Sequence, residues 1–183
     1  GLGYDDVDPW SLRGHDMVTI EVGGEMTEIF EIAIVGSGPA GCSAAARAAS
    51  LGVSHVLMEK TDHISDTIFK YQRGKYIMST PNTLPLQSDL QFEAESRENI
   101  LGWWEDGITS AGVNVMYNAE VSGIEGGKGD FTLTTAAGDT VRAKNIILAI
   151  GLQGNLRKVD PNDVPGADNG VIEYQLDDPK DYW

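Results

Sequence analysis

The segment IFEIAIVGSGPAG, residues 29–41, decides the fold. Residues 29–35 are apolar except Glu31, which is typical of a parallel strand buried on both faces. Residues 42–51 are rich in alanine and carry no helix breaker, so they predict a helix that stops at Gly52. Residues 53–59 predict a second strand, which completes a parallel strand–helix–strand unit.

Between the first strand and the helix, three glycines fit the pattern G-x-G-x-x-G. We expect Gly36 to permit a tight turn, Gly38 to let the backbone approach a pyrophosphate, and Gly41 to allow close helix packing. The positive end of the helix dipole adds to the site, and the fixed φ of Pro39 suits a helix start. The loop residues predicted to bind a dinucleotide are Gly36, Ser37, Gly38, Pro39, Ala40 and Gly41.

Glu59 ends the second predicted strand, 18 residues after Gly41 (59 − 41). An acid at this place accepts hydrogen bonds from the 2′-hydroxyl of an adenosine ribose. The same carboxylate would repel a 2′-phosphate, which disfavours NADP at this site. The alternative is an ordinary acid at a strand end beside a structural glycine turn.

The segments after Glu59 predict a long loop, a helix and a strand. Residues 61–90 predict an irregular segment, and loops of that length are usually functional or disordered. Residues 91–111 predict a helix that ends at Gly112, and residues 113–117 predict a strand. The apolar face of that helix comprises Ile100, Trp103, Trp104 and Ile108.

Short alternating segments follow, separated by turns that contain glycine. Residues 119–124, 130–135 and 140–143 predict an antiparallel meander. Residues 145–150 predict a final buried strand that ends at Gly151. The predicted fold class is therefore α/β, a Rossmann-like domain with a parallel sheet and a three-stranded antiparallel meander.

Composition excludes several classes of protein. The formal net charge of the 183 residues is −15, and such a surface repels nucleic acid. No apolar run reaches the roughly 18 residues that a membrane span needs, and no signal peptide is visible, so we expect a cytoplasmic protein that uses no membrane. Cys42 is the single cysteine; it excludes an internal disulfide, and packing is favoured over a thiol activated by the helix. His15, His55 and His63 show no metal-ligand spacing.

Together these motifs resemble the FAD domain of the two-dinucleotide-binding flavoprotein reductases, the thioredoxin reductase and pyridine nucleotide-disulfide oxidoreductase superfamily. The G-x-G-P-A-G form of the loop is similar to their FAD sites. The resemblance implies that the backbone at Val121 meets the adenine. It also implies a second glycine motif at Ala149, Ile150 and Gly151, where Ile150 replaces the usual threonine. The sequence Val-Pro-Gly at residues 164–166 matches a short motif after it.

Within the superfamily, residues 65–80 look like the bacillithiol-disulfide-reductase-like branch. In that branch, residues after the ribose acid approach the flavin ring. The resemblance therefore makes Thr67, Met78 and Ser79 candidate cofactor contacts, with ordinary loop residues as the equally weighted alternative, and Lys60 is a further candidate. No catalytic side chain is identified, since flavin supplies the difficult chemistry.

The resemblance also implies a division of the chain. Residues 29–160 are expected to form the FAD-binding domain, and residues 161–183 a hinge toward a missing NAD(P)H-binding domain. Residues 1–28 are rich in aspartate, glycine and glutamate, which indicates an extension or the tail of a preceding domain. The implied activity passes electrons from NAD(P)H through FAD to a disulfide or another acceptor, and this segment alone is not expected to be competent. The sequence does not decide whether the protein forms a homodimer. The alternatives are a non-catalytic flavin- or nucleotide-binding regulatory module and an NAD-dependent dehydrogenase.

Overall fold

The computed structural model describes residues 29–78, 88–152, 160, 162–165 and 178. The predicted extension, residues 1–28, lies outside the described residues, as does most of the predicted hinge. The domain boundaries therefore stay a prediction. The elements are β1 (Ile29–Val35), α1 (Pro39–Ser50), β2 (His55–Met58), α2 (Asp66–Phe69), β3 (Tyr76–Ile77), β4 (Glu95–Ser96), α3 (Arg97–Ser110), β5 (Val115–Met116), β6 (Val121–Gly127), β7 (Asp130–Thr135) and β8 (Thr140–Leu148).

The described strands form a six-stranded sheet in the order β5-β2-β1-β8-β7-β6 and a separate two-stranded ladder, β3-β4. Strands β5, β2, β1 and β8 run parallel, and β6, β7 and β8 form an antiparallel meander. The predicted α/β fold with a parallel sheet and a three-stranded meander is confirmed. The apolar strand β1 lies between β2 and β8, as expected for a strand buried on both faces.

Strand β8 corrects the prediction of two separate strands. Residues 140–143 and 145–150 were predicted as distinct, but one strand runs through Lys144 from Thr140 to Leu148. Residues 140–143 pair with β7 and residues 142–148 pair with β1, because nothing between the two predicted segments breaks an extended chain. Its carboxyl end is not buried either, since Leu148 is 61% exposed.

Both predicted helices begin elsewhere than expected. Helix α1 starts at Pro39 instead of residue 42, because Gly38 is its N-cap and proline suits the first helical turn. Helix α3 starts at Arg97 instead of residue 91, because the Ser96 side chain caps it by accepting from the Asn99 N–H.

The segment predicted as irregular, residues 61–90, contains the short helix α2 and strand β3 in its described part. A tertiary contact explains the helix. The Arg97 guanidinium donates to the carbonyls of Ile68 and Phe69 at the carboxyl end of α2, where the last carbonyls have no partner within the helix. Residue spacing within 61–90 carries no signal of that contact.

Two apolar clusters cover opposite faces of the parallel sheet. Ile34 and Leu57 pack with α1 and α3, whereas Ala33 and Val56 pack with the meander, as the alternation of side chains along a strand requires. Trp104 is 2% exposed at the centre of the first cluster, and Trp103 is only partly buried against it. In the part of the chain that is described, no helix is long and apolar enough to cross a membrane.

Candidate functional site

The glycine loop lies where the parallel strands end. The Gly36 N–H donates to the Met58 carbonyl at 2.8 Å, and the Ala149 N–H donates to the Val35 carbonyl at 2.8 Å. These bonds bring the loop, the end of β2 and the segment after β8 to one edge of the sheet. In open α/β sheets, ligands bind outside this carboxyl edge, where the strand order reverses. Here β2 lies on one side of β1 and β8 on the other.

Two of the three motif glycines are packed against neighbouring backbone. A Cβ at Gly36, whose φ is +97°, would lie 2.6 Å from the Ala149 oxygen, and a Cβ at Gly41 would lie 1.8 Å from the Gly36 oxygen. Gly38 differs, because a Cβ built there meets no atom within 4 Å. The space beside Gly38 is open. A side chain at this position would fill it, and a phosphate has room to enter it.

The first turn of α1 supplies amide donors to that space. The Cys42 N–H donates to the Gly38 carbonyl at 2.9 Å as the first helical bond. Ala40 and Gly41 precede it, so their N–H groups have no acceptor within the helix. No side chain caps this end, and its first turn carries no acidic residue. The end of the helix is therefore electropositive and suited to an anion.

Glu59 directly follows β2 and is 5% exposed. Its Oε2 accepts from the Ser37 N–H at 2.9 Å and from the Ser37 hydroxyl at 2.6 Å. Its Oε1 accepts from the Thr61 N–H at 3.1 Å. Glu59 is thus held as an acceptor-only group beside the glycine loop. The contact with Ser37 ties the acid to the loop that it was predicted to accompany.

The Thr61 hydroxyl can donate its hydrogen bond either to Glu59 or to the His63 carbonyl. It lies 3.1 Å from Glu59 Oε1 and 2.8 Å from the His63 carbonyl. A hydroxyl has one proton, and a carboxylate has about four acceptor positions. When the Thr61 hydroxyl donates its hydrogen bond to the His63 carbonyl, Glu59 Oε1 keeps a free acceptor position for a ligand hydroxyl.

Ser37, Ser65 and Cys42 form a buried cluster behind the loop. Ser37 is fully buried, and its carbonyl accepts from the Ser65 N–H, the Ser65 hydroxyl and the Cys42 thiol. Burial raises the pKa of Cys42 to about 12, an effect that the Ser65 hydrogen bond reduces and the charge of Glu59 increases. The thiol stays protonated and packed, as expected from the sequence.

The other predicted contacts are spread over several elements. Val121 begins β6 and follows Ala119, whose N–H donates to the Glu59 carbonyl at 2.7 Å. Lys60 and Thr67 are exposed, Thr67 on α2. Ser79 lies outside the described residues.

The second glycine motif adjoins the first. Ile150 is 70% exposed, and Gly151 has a φ of +64°. Sequence reasoning missed Thr61 and Ser65. Thr61 lies two residues beyond the predicted ribose acid, and that short spacing was an available signal. Ser65 has a φ of 56°, which no residue pattern in this segment announces.

The residues at this edge fit a dinucleotide. Gly38 and the first turn of α1 offer space and donors for a diphosphate, and Glu59 offers an acceptor to a ribose hydroxyl one strand away. No side chain in the first turn of α1 supplies a competing negative charge.

Comparisons with known proteins identify the family of the chain. The family described as pyridine nucleotide-disulphide oxidoreductase matches residues 33–183. The ferredoxin–NADP reductase of Granulibacter bethesdensis is 31% identical over 121 residues, which cover 66% of this chain and 32% of that protein. A second relative, the ferredoxin–NADP reductase of Gluconobacter oxydans, is also 31% identical over 121 residues, which cover 66% of this chain and 33% of that protein. The chain thus spans about a third of the curated relatives that it matches.

Solved structures show the same fold. The bacillithiol disulfide reductase of Staphylococcus aureus superposes with a TM-score of 0.61 at 22% identity, covering 75% of this chain and 44% of that chain. The thioredoxin reductase of Lactococcus lactis superposes with a TM-score of 0.56 at 24% identity, covering 72% and 38%. At such identities the likeness concerns the fold alone.

Proposed function

Because the chain belongs to the pyridine nucleotide-disulphide oxidoreductase family, whose members are FAD-dependent oxidoreductases, we propose that its glycine loop binds the FAD diphosphate and that the whole protein is an NAD(P)H-dependent flavoprotein reductase. When bound, FAD would accept a hydride from a nicotinamide and pass two electrons to a disulfide or another acceptor. The acceptor and the choice between NADH and NADPH belong to this proposal, since the chain spans about a third of its curated relatives.

The observation that carries the proposal is the contrast among the motif glycines. Gly36 and Gly41 are needed for packing, whereas the space beside Gly38 is open. Packing alone therefore does not explain a glycine at residue 38. Close approach by a diphosphate does explain it, because any Cβ would occupy the position of the ligand.

The protein residues have separate roles in this proposal. The N–H groups of Gly38, Ala40 and Gly41 bind the diphosphate without a basic side chain, which suits a chain with a net charge of −15. Glu59 binds a ribose hydroxyl through the position that the Thr61 hydroxyl vacates. Val121 lies two residues after Ala119, whose N–H donates to the Glu59 carbonyl, and its backbone is proposed to meet the adenine.

A separate group of residues is proposed for the flavin end of the site. Ala149, Ile150 and Gly151 adjoin Gly36 at the same sheet edge, and Lys60 and Thr67 expose their side chains on the segment after Glu59. We propose these residues, together with Ser79, as contacts of the remaining parts of FAD. The bacillithiol-disulfide-reductase-like branch is proposed on the sequence of residues 65–80.

The proposal is tested by replacing Gly38 with alanine. Gly38 has a φ of −66°, which alanine adopts freely, so Gly38→Ala is expected to keep the melting temperature and weaken FAD binding at least about tenfold. Binding is measured by quenching of flavin fluorescence. Gly102→Ala in α3 is the matched control, because a Cβ there also meets no atom within 4 Å.

Three results bear on the proposal. Loss of FAD binding in Gly38→Ala but not in Gly102→Ala supports it. Equal FAD affinity in the two variants contradicts the assignment of the loop. Oxidation of NADH and NADPH is measured separately on the complete natural polypeptide, and an FAD-loaded protein that oxidises neither nucleotide contradicts the reductase activity alone.

A further inference from the structure

The carbonyl of Ser37 is held by two different elements of the fold. Ser65, the residue before α2, donates to it with its N–H at 3.0 Å and its hydroxyl at 3.0 Å. The Cys42 thiol, in the first turn of α1, donates to it at 3.0 Å. All three residues are at most 2% exposed. The orientation of this carbonyl is therefore fixed from inside the protein.

A fixed carbonyl also fixes the next amide. The peptide bond between Ser37 and Gly38 is planar and trans, so the Gly38 N–H points opposite to the Ser37 carbonyl. The carbonyl points toward the buried cluster, and the N–H therefore points away from it. The side of Gly38 that a Cβ would occupy is open to 4 Å.

We propose that Ser65 and Cys42 are positioning residues for the diphosphate site, because they hold the Ser37–Gly38 peptide with its N–H directed at the bound phosphate. This inference rests on the proposed function, since it assigns a role within the same site. Neither residue touches the diphosphate. Both act through the Ser37 carbonyl.

The conformation of Ser65 supports the assignment. Its φ of 56° and ψ of 45° are left-handed, a region that serine rarely adopts and that persists only where the surroundings impose it. In this conformation the N–H and the hydroxyl of Ser65 reach the same carbonyl oxygen. The Ser65 N–H also lies 3.1 Å from the Ser37 hydroxyl, which in turn donates to Glu59.

Cys42 supports the assignment from the opposite side. A thiol donates only while it is protonated, and burial raises the pKa of Cys42 to about 12. The Cys42 thiol is therefore a permanent donor at neutral pH. Its hydrogen bond ties the Ser37 carbonyl to the helix whose first amides face the same space.

Two pairs of variants separate this role from a general effect on folding. Ser65→Gly keeps the backbone donor, relieves the left-handed φ and removes the hydroxyl, whereas Ser65→Asn restores a polar side chain that tolerates this conformation. Cys42→Ala removes the thiol donor, and Cys42→Ser restores a donor at the same place. Thermal unfolding of each variant shows that it is folded.

The readout compares two ligands that differ only in the diphosphate. ADP and adenosine are titrated into the ¹⁵N-labelled chain, and the Gly38 amide resonance is followed. We expect Ser65→Gly and Cys42→Ala to weaken ADP binding about three- to tenfold, to reduce the shift of the Gly38 amide, and to leave adenosine binding unchanged. Cys42→Ser is expected to recover most of the ADP affinity.

The outcomes distinguish the two proposals. If the unaltered chain binds neither FAD nor ADP, both the proposed function and this inference are wrong. If it binds both, but the variants weaken ADP and adenosine equally or leave ADP binding and the Gly38 shift unchanged, the positioning role alone is wrong. A selective loss for ADP with rescue in Cys42→Ser supports it.

Discussion

Ser37 occupies a variable position of the glycine motif, yet it is fully buried and joins three segments of the chain. Its N–H and hydroxyl donate to Glu59, and its carbonyl accepts from Ser65 and Cys42. A residue with this many partners is not an interchangeable spacer. Its hydroxyl bond to a carboxylate belongs to the stronger class of hydrogen bonds.

Replacing Ser37 with alanine is expected to lower the free energy of unfolding by about 1–3 kcal/mol. The change removes the 2.6 Å bond to Glu59 and leaves that buried carboxylate with one donor fewer. Urea denaturation measures the loss. Ser50→Ala, at an exposed serine of α1, is the control. A Ser37→Ala variant as stable as this control would contradict the proposed importance of the contact.

Cys42 predicts an alkaline loss of stability. Its pKa rises from 9.0 to about 12 on folding, so the folded state keeps a proton that the unfolded state releases. The associated stability is complete below pH 9 and is lost as the pH rises toward 12. Between these pH values the free energy of unfolding falls by up to about 1.4 kcal/mol per pH unit.

Cys42→Ala should therefore reduce the dependence of unfolding free energy on pH between 9 and 10, measured by urea denaturation across that range. Tyr117 provides the comparison. Burial, followed by the charges of Glu105, Cys42 and Glu59, raises its pKa from 10.0 to about 12, so its own contribution begins one unit higher. Identical slopes in the Cys42→Ala variant and the unaltered chain below pH 10 would refute the linkage.

At the scale of elements, helix α2 depends on α3. Four residues form only one turn, and so short a helix is not stable in isolation. The Arg97 guanidinium closes its carboxyl end by donating to two carbonyls and lies over the Phe69 ring. Lys70 and Asp66 add an ion pair along the turn.

Arg97→Lys is expected to lower the free energy of unfolding by about 1–2 kcal/mol, because an ammonium group cannot reproduce the planar fork of arginine. Hydrogen exchange should quicken at the amides of residues 68–70. Arg73→Lys, at an exposed arginine before β3, is the matched control. Unchanged exchange in α2 would show that another contact holds this helix.

The segments that were predicted best from the sequence are those whose structure depends on neighbouring residues in the chain. The buried strand β1, the glycine loop, Gly52 as the stop of α1 and the hairpin turns all depend on residues close in sequence. Strand β8 was divided wrongly although one strand serves two partners: residues 140–143 pair with β7 and residues 142–148 with β1. That choice depends on tertiary pairing, which the pattern of residues 140–150 does not carry.

The candidate site divides in the same way. Gly36, Gly38, Gly41 and Glu59 follow from a spacing that one strand–helix–strand unit explains. Ser65 acts through bonds to Ser37 that exist only once the segment after β2 lies beside the loop after β1, whereas Thr61 bonds Glu59 over two residues, a spacing that was visible in the sequence but was not used. Prediction of the fold and of the motif was therefore more complete than prediction of the residues that hold the motif.

At the scale of the whole molecule, the net charge of −15 sets how an anionic ligand arrives. FAD carries a negative diphosphate, and under the proposed binding mode the field of the chain repels it until short-range contacts with the loop amides form. Raising the salt concentration to about 0.15 M screens this repulsion beyond about 8 Å.

The association rate of FAD should therefore rise severalfold between low salt and about 0.15 M salt. Stopped-flow fluorescence measures the rate. Riboflavin, which lacks the diphosphate, is the control ligand and should show little dependence on salt. An FAD rate that falls as salt is added would indicate a local positive field that outweighs the overall charge.

The pairing of β1 with β8 has a consequence during synthesis. Ile29 pairs with Arg142 and Val35 with Leu148, so more than a hundred residues separate the two strands in the chain. Until residues 140–148 leave the ribosome, the nascent β1 has one bare edge, and bare strand edges invite pairing with other chains. Translation must therefore pass β8 before the centre of this sheet is protected against aggregation.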